Sequence, residues 1–116
     1  MLDGPEVTVE QVLLVVELIP RGCVVSYGDI AELVGSSPRR VGAIMSARGS
    51  AVPWWRVTNA AGRMPAHLTA EARRHWLDES TPLRPDGSGC RMAAARPDLT
   101  ALAAALTAAM STTHPS

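Results

Sequence analysis

Two adjacent tryptophans, Trp54 and Trp55, stand between Pro53 and Arg56. The sequence contains three Trp, one Tyr and no Phe, so this segment holds much of its aromatic material. An indole ring offers an N–H donor and a flat face, but it is no nucleophile comparable to a thiolate. Pro53 fixes its own backbone and disfavours helix at the residue before it. The spacing therefore predicts a stacking surface that follows a turn.

The basic residues are concentrated in the middle of the chain. The formal net charge is zero, and all eleven basic residues are arginines. Residues 36–75 contain seven arginines and one acid, Glu71. A neutral protein with a basic central segment can bind phosphates locally, although long-range electrostatic steering is weak.

Two short helices are predicted directly before the tryptophans. Ser26 and Asp29 have the spacing of a helix N-cap and its partner three residues on. Residues 35–37, Gly-Ser-Ser, end that helix, and Pro38 suits the first turn of the next. Because a tight turn joins them, the pair predicts a helix-turn-helix, whose second helix normally enters a DNA groove by its N-terminal end.

The flanking segments predict a mainly α fold with a few short strands. Apolar periodicity predicts a helix over 9–19, after a capping-box spacing at Thr8 and Gln11. A short strand is expected over 56–59 and another at Leu83. Thr69 is expected to cap a helix over 70–78, in which Leu77 and either His75 or Trp76 face the core.

The C-terminal segment is rich in Ala and Leu. Asp98 after Pro97 predicts the start of an amphipathic helix over 98–110, and residues 111–116 are expected to form a disordered tail. The length of 116 residues is typical of one domain, 1–116. Whether this last helix packs within the chain or contacts a partner stays open.

Several functional classes are disfavoured. No apolar run approaches the length of a membrane span, and the acidic start lacks the pattern of a signal peptide. Cys23 and Cys90 are far apart and are expected to be free thiols, and the histidines show no metal-ligand spacing. A cytoplasmic monomer without metal or cofactor is the expectation.

Three separated blocks resemble the O6-alkylguanine-DNA alkyltransferases. In chain order they are 19–22 (Ile-Pro-Arg-Gly) with 26–31 (Ser-Tyr-Gly-Asp-Ile-Ala), 39–42 (Arg-Arg-Val-Gly) and 53–59 (Pro-Trp-Trp-Arg-Val-Thr-Asn). The resemblance spans about 7–80 and implies the winged helix-turn-helix-like DNA-binding core of that family. The family has Pro-Cys-His-Arg-Val in the last block, so Trp54 stands at the position of the alkyl-accepting cysteine.

This replacement resembles the alkyltransferase-like proteins of the same family. They bind O6-alkylguanine in double-stranded DNA without removing the alkyl group, and they pass the lesion to nucleotide excision repair proteins. The resemblance therefore implies a non-enzymatic protein. Trp55 replaces the family's histidine, so the proton relay is missing as well.

The resemblance also assigns roles to residues of the first two blocks. Tyr27 matches the tyrosine that helps to rotate the target nucleotide out of the helix. Arg39 matches the arginine finger that fills the vacated place, and Arg40 is the adjacent candidate, with a phosphate contact as its other role. Ser37 belongs to the same DNA-binding and nucleotide-flipping set.

A second set is expected to form the lesion pocket. Trp54 would supply its wall, Trp55 and Arg56 would lie near it, and Met64 and Pro65 would form its far side. Core packing is the alternative for Trp54 and Trp55, a structural role is the alternative for Arg56, and core filling is the alternative for Met64.

Two positions depart from the family pattern. Ser50 stands where the family has a hinge asparagine. The family's glutamate aligns nearest Ser80, or with Glu79 after a shift of one residue.

Other functions stay open from the sequence. A transcription regulator could use the same helix-turn-helix without recognising a lesion. Residual alkyl transfer to Cys23 or Cys90 is a third possibility, which irreversible mass gain on one cysteine would reveal.

Overall fold

The computed structural model describes residues 5–112. Most of this part is helical, with one short parallel sheet of two strands. The predicted fold class, mainly α with a few short strands, is confirmed. The helices and strands in chain order are α1 (Pro5–Leu18), β1 (Val25–Ser26), α2 (Tyr27–Val34), α3 (Pro38–Arg48), β2 (Val57–Thr58), α4 (Ala66–Asp78), α5 (Met92–Ala95) and α6 (Leu99–Thr112).

Helices α2 and α3 form the predicted helix-turn-helix. The Ser26 hydroxyl accepts from the Asp29 N–H, and the Asp29 carboxylate accepts from the Ser26 N–H, which is a complete capping box. Gly35 ends α2 in the left-handed region at φ 70°, and the Ser37 hydroxyl caps α3. Local capping thus fixes both ends of the turn.

Two 3-10 turns and a strand follow the helix-turn-helix. Residues 49–51 form the first turn, and Trp54–Arg56 form the second. The strand predicted over 56–59 is shorter than expected, because Arg56 belongs to the turn and only Val57 and Thr58 pair with β1. Val25 lies opposite Val57 in the parallel register, and both are buried.

The buried apolar residues form two clusters. The larger one joins α1, α2, α3 and α6, with Val12, Val16 and Ile30 at its centre. The smaller one lies around Trp76 and Cys90, and Trp54 and Trp55 pack against it. The tryptophan segment is therefore attached to the second cluster, beside α4.

Helix α4 begins earlier than the sequence predicted. Its first residue is Ala66, and the Thr69 hydroxyl donates to the Pro65 carbonyl over 3.2 Å, so Thr69 lies inside the helix and does not cap it. Trp76 is the buried residue, whereas Leu77 is 64% exposed, so the expectation that Leu77 faces the core is wrong. Likewise, α1 begins at Pro5, which precedes the predicted start at 9.

The C-terminal helix packs within the chain. Leu102 and Leu106 are buried in the larger cluster against α1. Asp98 caps α6 by accepting from the N–H groups of Thr100 and Ala101. Residues 111 and 112 continue the helix, which corrects the start of the predicted disordered tail, and residues 113–116 lie outside the described part. Within residues 5–112, no helix has the length and apolarity of a membrane-spanning segment.

Candidate nucleic-acid interface

A cavity of about 500 Å³ opens between the helix-turn-helix and the start of α4. Four of the residues predicted to bind DNA or form the lesion pocket line it: Tyr27, Trp54, Met64 and Pro65. They come from the first turn of α2, the second 3-10 turn and the segment before α4. The fold therefore brings together side chains that are up to 38 positions apart in the sequence.

Local backbone geometry sets the position of Trp54. Pro53 lies at φ −70° and ψ 75°, and the Trp54 N–H donates to the Val52 carbonyl over 2.7 Å. The half-buried indole makes edge contacts with Trp55 and His75, at ring-centroid distances of 5.7 and 5.9 Å. The Trp54 indole thus forms part of the cavity wall and is held in place by the rings of Trp55 and His75.

Trp55 and Arg56, which are expected in or near the lesion pocket, are not among the residues that line the cavity. The Trp55 ring stacks on His75 at 3.6 Å between centroids, with the planes 6° apart. Trp76, fully buried, donates its indole N–H to the Trp55 carbonyl over 2.7 Å. Trp55 therefore packs behind Trp54, against the second cluster.

Glu79 joins the segments behind that wall. Its carboxylate accepts from Arg56 Nε and Nη2 at 3.0 and 2.6 Å, from the Trp55 indole N–H at 2.9 Å and from the Gly22 N–H at 3.2 Å. Burial acts to raise the pKa of Glu79, but the hydrogen bonds from Arg56, Gly22 and Trp55 and the charge of Arg56 lower it to about 2. The family's glutamate aligns with either Glu79 or Ser80. Of these two residues, Glu79 is buried and Ser80 is exposed.

The Pro-Arg-Gly turn after α1 packs against the end of α4. Gly22 has φ 82°, and a Cβ there would lie 3.0 Å from the Glu79 carbonyl oxygen. Arg56 donates through Nη1 to the Ile19 carbonyl over 2.9 Å. The end of α1, the tryptophan turn and the end of α4 therefore meet at one ion pair.

The helix-turn-helix presents its basic residues outside the cavity. Ser37, Arg39 and Arg40 are exposed at the start of α3, and the Ser37 hydroxyl accepts from the Arg40 N–H over 3.2 Å. Tyr27 is half-buried, and burial raises the pKa of its phenol, which therefore stays neutral. The structure thus brings Tyr27 to the cavity, whereas Arg39 and Arg40 are exposed and do not line it.

Sequence reasoning missed a group of lining residues from α4. His67, Leu68 and Glu71 line the cavity. Because the helix begins at Ala66, His67 and Glu71 are four residues apart on one face. The start predicted at residue 70 hid this spacing. Met45 and Ser46 of α3 also line the cavity, as does Ser50, the residue at the hinge position.

No thiol lines the cavity. Cys90 is fully buried, and burial raises the pKa of its thiol to about 12. Cys23 is half-buried and packs on the other cluster. Among the described residues, no group of three or more His, Cys, Asp or Glu could hold a metal ion. The lining can stack and enclose a planar group, and it offers no thiolate.

The chain is similar in sequence to two curated proteins. Among curated proteins, a DNA base-flipping protein of Escherichia coli (strain K12) is 42% identical over 57 residues, which cover 46% of this chain and 44% of that protein. A DNA base-flipping protein of Vibrio parahaemolyticus is 38% identical over 58 residues, which cover 47% and 58%. These matches span about half the length of the curated relatives.

A solved structure shares the fold. S. pombe Atl1, in complex with damaged DNA containing O6-carboxymethylguanine, superposes with a TM-score of 0.70 at 24% identity, covering 82% of this chain and 98% of that chain. The family model for the 6-O-methylguanine DNA methyltransferase, DNA binding domain, matches residues 8–80. This range is more than half of the chain, which therefore belongs to the 6-O-methylguanine DNA methyltransferase family through that DNA-binding domain.

Proposed function

We propose that this protein recognises O6-alkylguanine in duplex DNA by nucleotide flipping and does not transfer the alkyl group. The observation that carries the proposal is the indole of Trp54 in the wall of a cavity that has no thiol among its lining residues. In the family resemblance, Trp54 stands at the position of the alkyl-accepting cysteine. An aromatic face stacks on a base with a contribution of about 1–3 kcal/mol, whichever base it is.

The cavity fits the proposed ligand in size and character. Pockets that enclose small molecules have volumes of roughly 300–1,000 Å³, and this one has about 500 Å³. Trp54 offers a flat face, while Met45, Met64 and Leu68 offer adaptable apolar contacts for an alkyl group. Tyr27 at the cavity edge would act on the backbone of the flipped nucleotide.

The remaining assignments complete the proposed mechanism. Extruding a base costs a few kcal/mol of stacking and pairing. Arg39 would compensate by entering the vacated place with its planar guanidinium, with Arg40 as the adjacent candidate. Ser37 caps the helix that carries both arginines, so its part in DNA binding would include placing them.

The names of the relatives support base flipping as the mode of binding. The ligand of S. pombe Atl1 supports an O6-substituted guanine as the target.

A gel-shift comparison tests the proposal with duplexes that contain guanine, O6-methylguanine or a bulkier O6-alkylguanine. Wild type should prefer the lesions, and Trp54→Ala should lose most of that preference.

Two outcomes would favour other functions. Equal affinity for all three duplexes, combined with preference for a defined unmodified sequence, would indicate a transcription regulator. An irreversible mass gain on Cys23 or Cys90 after incubation with the lesion duplex would indicate alkyl transfer. Alkyl transfer is not expected, because no thiol lines the cavity.

The proposal extends to signalling of nucleotide excision repair, which the family resemblance implies. The test is genetic. Loss of this protein should sensitise cells to alkylating agents, and it should add nothing in cells that already lack excision repair. Additive sensitivity in the double mutant would contradict this part and leave lesion binding intact.

A further inference from the structure

The described residues that line the cavity include one carboxylate and no arginine. The titratable groups among them are Tyr27, His67 and Glu71. The Tyr27 phenol stays neutral, because burial raises its pKa. The carboxylate of Glu71 is therefore the one anionic group among the described residues that line the cavity.

Glu71 has no cationic partner within the described part of the chain. Among the described residues, no hydrogen bond or ion pair involves the Glu71 side chain, whereas the carboxylates of Glu79 and Asp29 are both paired with arginines. It lies one helical turn after His67, on the face of α4 that borders the cavity. Its charge is also unusual in position, because Glu71 is the one acid between residues 36 and 75.

We propose that Glu71 makes this pocket select O6 substituents by charge. The pocket accepts uncharged alkyl and hydroxyalkyl groups and cationic aminoalkyl groups, and it rejects anionic carboxyalkyl groups. The inference rests on the proposed function, because it concerns the substituent of a base held in the cavity. A substituent carboxylate would enter beside a like charge with no arginine in the lining to offset it, and such juxtapositions are costly. A hydroxyl or ammonium group would instead find an acceptor.

The proposal separates this protein from the structural relative in one respect. S. pombe Atl1 was solved with O6-carboxymethylguanine, whose substituent is anionic. The two chains share the fold at 24% identity, so residues that line the pocket are free to differ. We therefore expect the carboxymethyl lesion to be a poor ligand here.

Binding of labelled duplexes tests the inference, at one salt concentration and one alkaline pH. The duplexes contain guanine, O6-methylguanine, O6-(2-hydroxyethyl)guanine, O6-(2-aminoethyl)guanine or O6-carboxymethylguanine. Wild type should bind the carboxymethyl lesion about tenfold or more less tightly than the methyl and hydroxyethyl lesions. Glu71→Gln should reduce this difference to about threefold or less, mainly by tightening the binding of the carboxymethyl duplex.

Glu17→Gln is the matched control. Glu17 is an exposed glutamate of α1 that does not line the cavity, so its replacement removes the same charge elsewhere. It should alter affinity for all five duplexes alike and leave their ratios unchanged. Both variants should melt within a few degrees of wild type, because both side chains are exposed.

The outcomes distinguish this inference from the proposed function. If every lesion binds more tightly than guanine, but wild type accepts the carboxymethyl lesion as well as the methyl lesion, charge selection is wrong and lesion recognition stands. An unchanged ratio in Glu71→Gln would likewise overturn the role of Glu71. If no lesion binds more tightly than guanine, the proposed function fails, and this inference fails with it.

Discussion

Trp55 donates its indole N–H to a carboxylate oxygen of Glu79 over 2.9 Å. The family resemblance places a histidine at the position of Trp55, where it serves a proton relay. An indole N–H can donate to the carboxylate, but the ring has no basic nitrogen that could accept a proton. Trp55 therefore makes a structural hydrogen bond and cannot take part in a proton relay.

The ion pair between Glu79 and Arg56 should be important for stability. The Glu79 side chain is 2% exposed and that of Arg56 is 11% exposed. Removing one partner of a buried pair leaves the other charge uncompensated, so Glu79→Gln should lower the free energy of unfolding by about 3 kcal/mol. Urea denaturation followed by circular dichroism measures the loss.

Asp78→Asn is the control for that substitution. Asp78 is the preceding residue and pairs with Arg21 at 3.4 Å, but its side chain is 74% exposed. Exposed ion pairs contribute about 0–1 kcal/mol, so this variant should remain close to wild type. Equal losses for the two variants would contradict the importance of burial.

The stability of the protein should fall in acid because of the same carboxylate. The pKa of Glu79 is about 2 in the folded chain, against an ordinary value of 4.5. A lowered pKa contributes stability that is complete above about 4.5 and is lost as the pH falls toward 2, on the order of 3 kcal/mol. Urea titrations across this window should show the loss in wild type and a flatter profile in Glu79→Gln. Parallel profiles would show that other groups govern the acid sensitivity.

Trp55→Phe should separate support of the wall from recognition. Phenylalanine can keep the stack on His75, but it cannot donate to Glu79. The loss should be about 1–2 kcal/mol of stability, the cost of one unmade buried hydrogen bond. Because Trp55 does not line the cavity, the ratio of lesion to guanine affinity should change less than in Trp54→Ala. A larger change in Trp55→Phe than in Trp54→Ala would show that Trp55, and not Trp54, is the main determinant of lesion recognition.

The helix-turn-helix was predictable because its signals are local. Ser26 with Asp29, and Ser37 with Pro38, specify helix starts through hydrogen bonds and backbone restriction within a few residues. The structure confirms these elements at their predicted positions. The family resemblance also directed attention to Tyr27, Trp54, Met64 and Pro65, which meet at the cavity.

The rest depended on contacts between distant segments. The start of α4 at Ala66 is not signalled by a side-chain cap, so no local pattern indicated that His67 and Glu71 lie on one helix face. The burial of Trp55 and Arg56 behind the wall depends on Glu79, 23 residues after Arg56. No local pattern distinguishes a tryptophan that faces a cavity from one that supports it.

Arg39 and Arg40 should respond differently to substitution. If Arg39 is the finger, Arg39→Ala should abolish most of the fluorescence rise of a 2-aminopurine next to the lesion, which reports unstacking. Arg40→Ala should weaken binding to all duplexes and lower the salt slope by about 1, as expected for a phosphate contact. Arg48→Ala, in the last turn of the same helix, is the control and should do neither. The opposite pattern would make Arg40 the finger.

The C-terminal helix should contribute to stability and not to lesion preference. Leu106 of α6 is 6% exposed and lies in the cluster that includes α1, whereas Leu77 of α4 is 64% exposed. Leu106→Ala should cost about 2–3 kcal/mol of unfolding free energy through lost burial and a new cavity. Leu77→Ala removes the same atoms from the surface and should cost about 0.5 kcal/mol or less. Because neither residue lines the pocket, both variants should keep the lesion preference of wild type. If Leu106→Ala were as mild as Leu77→Ala, α6 would not be packed on α1 in solution.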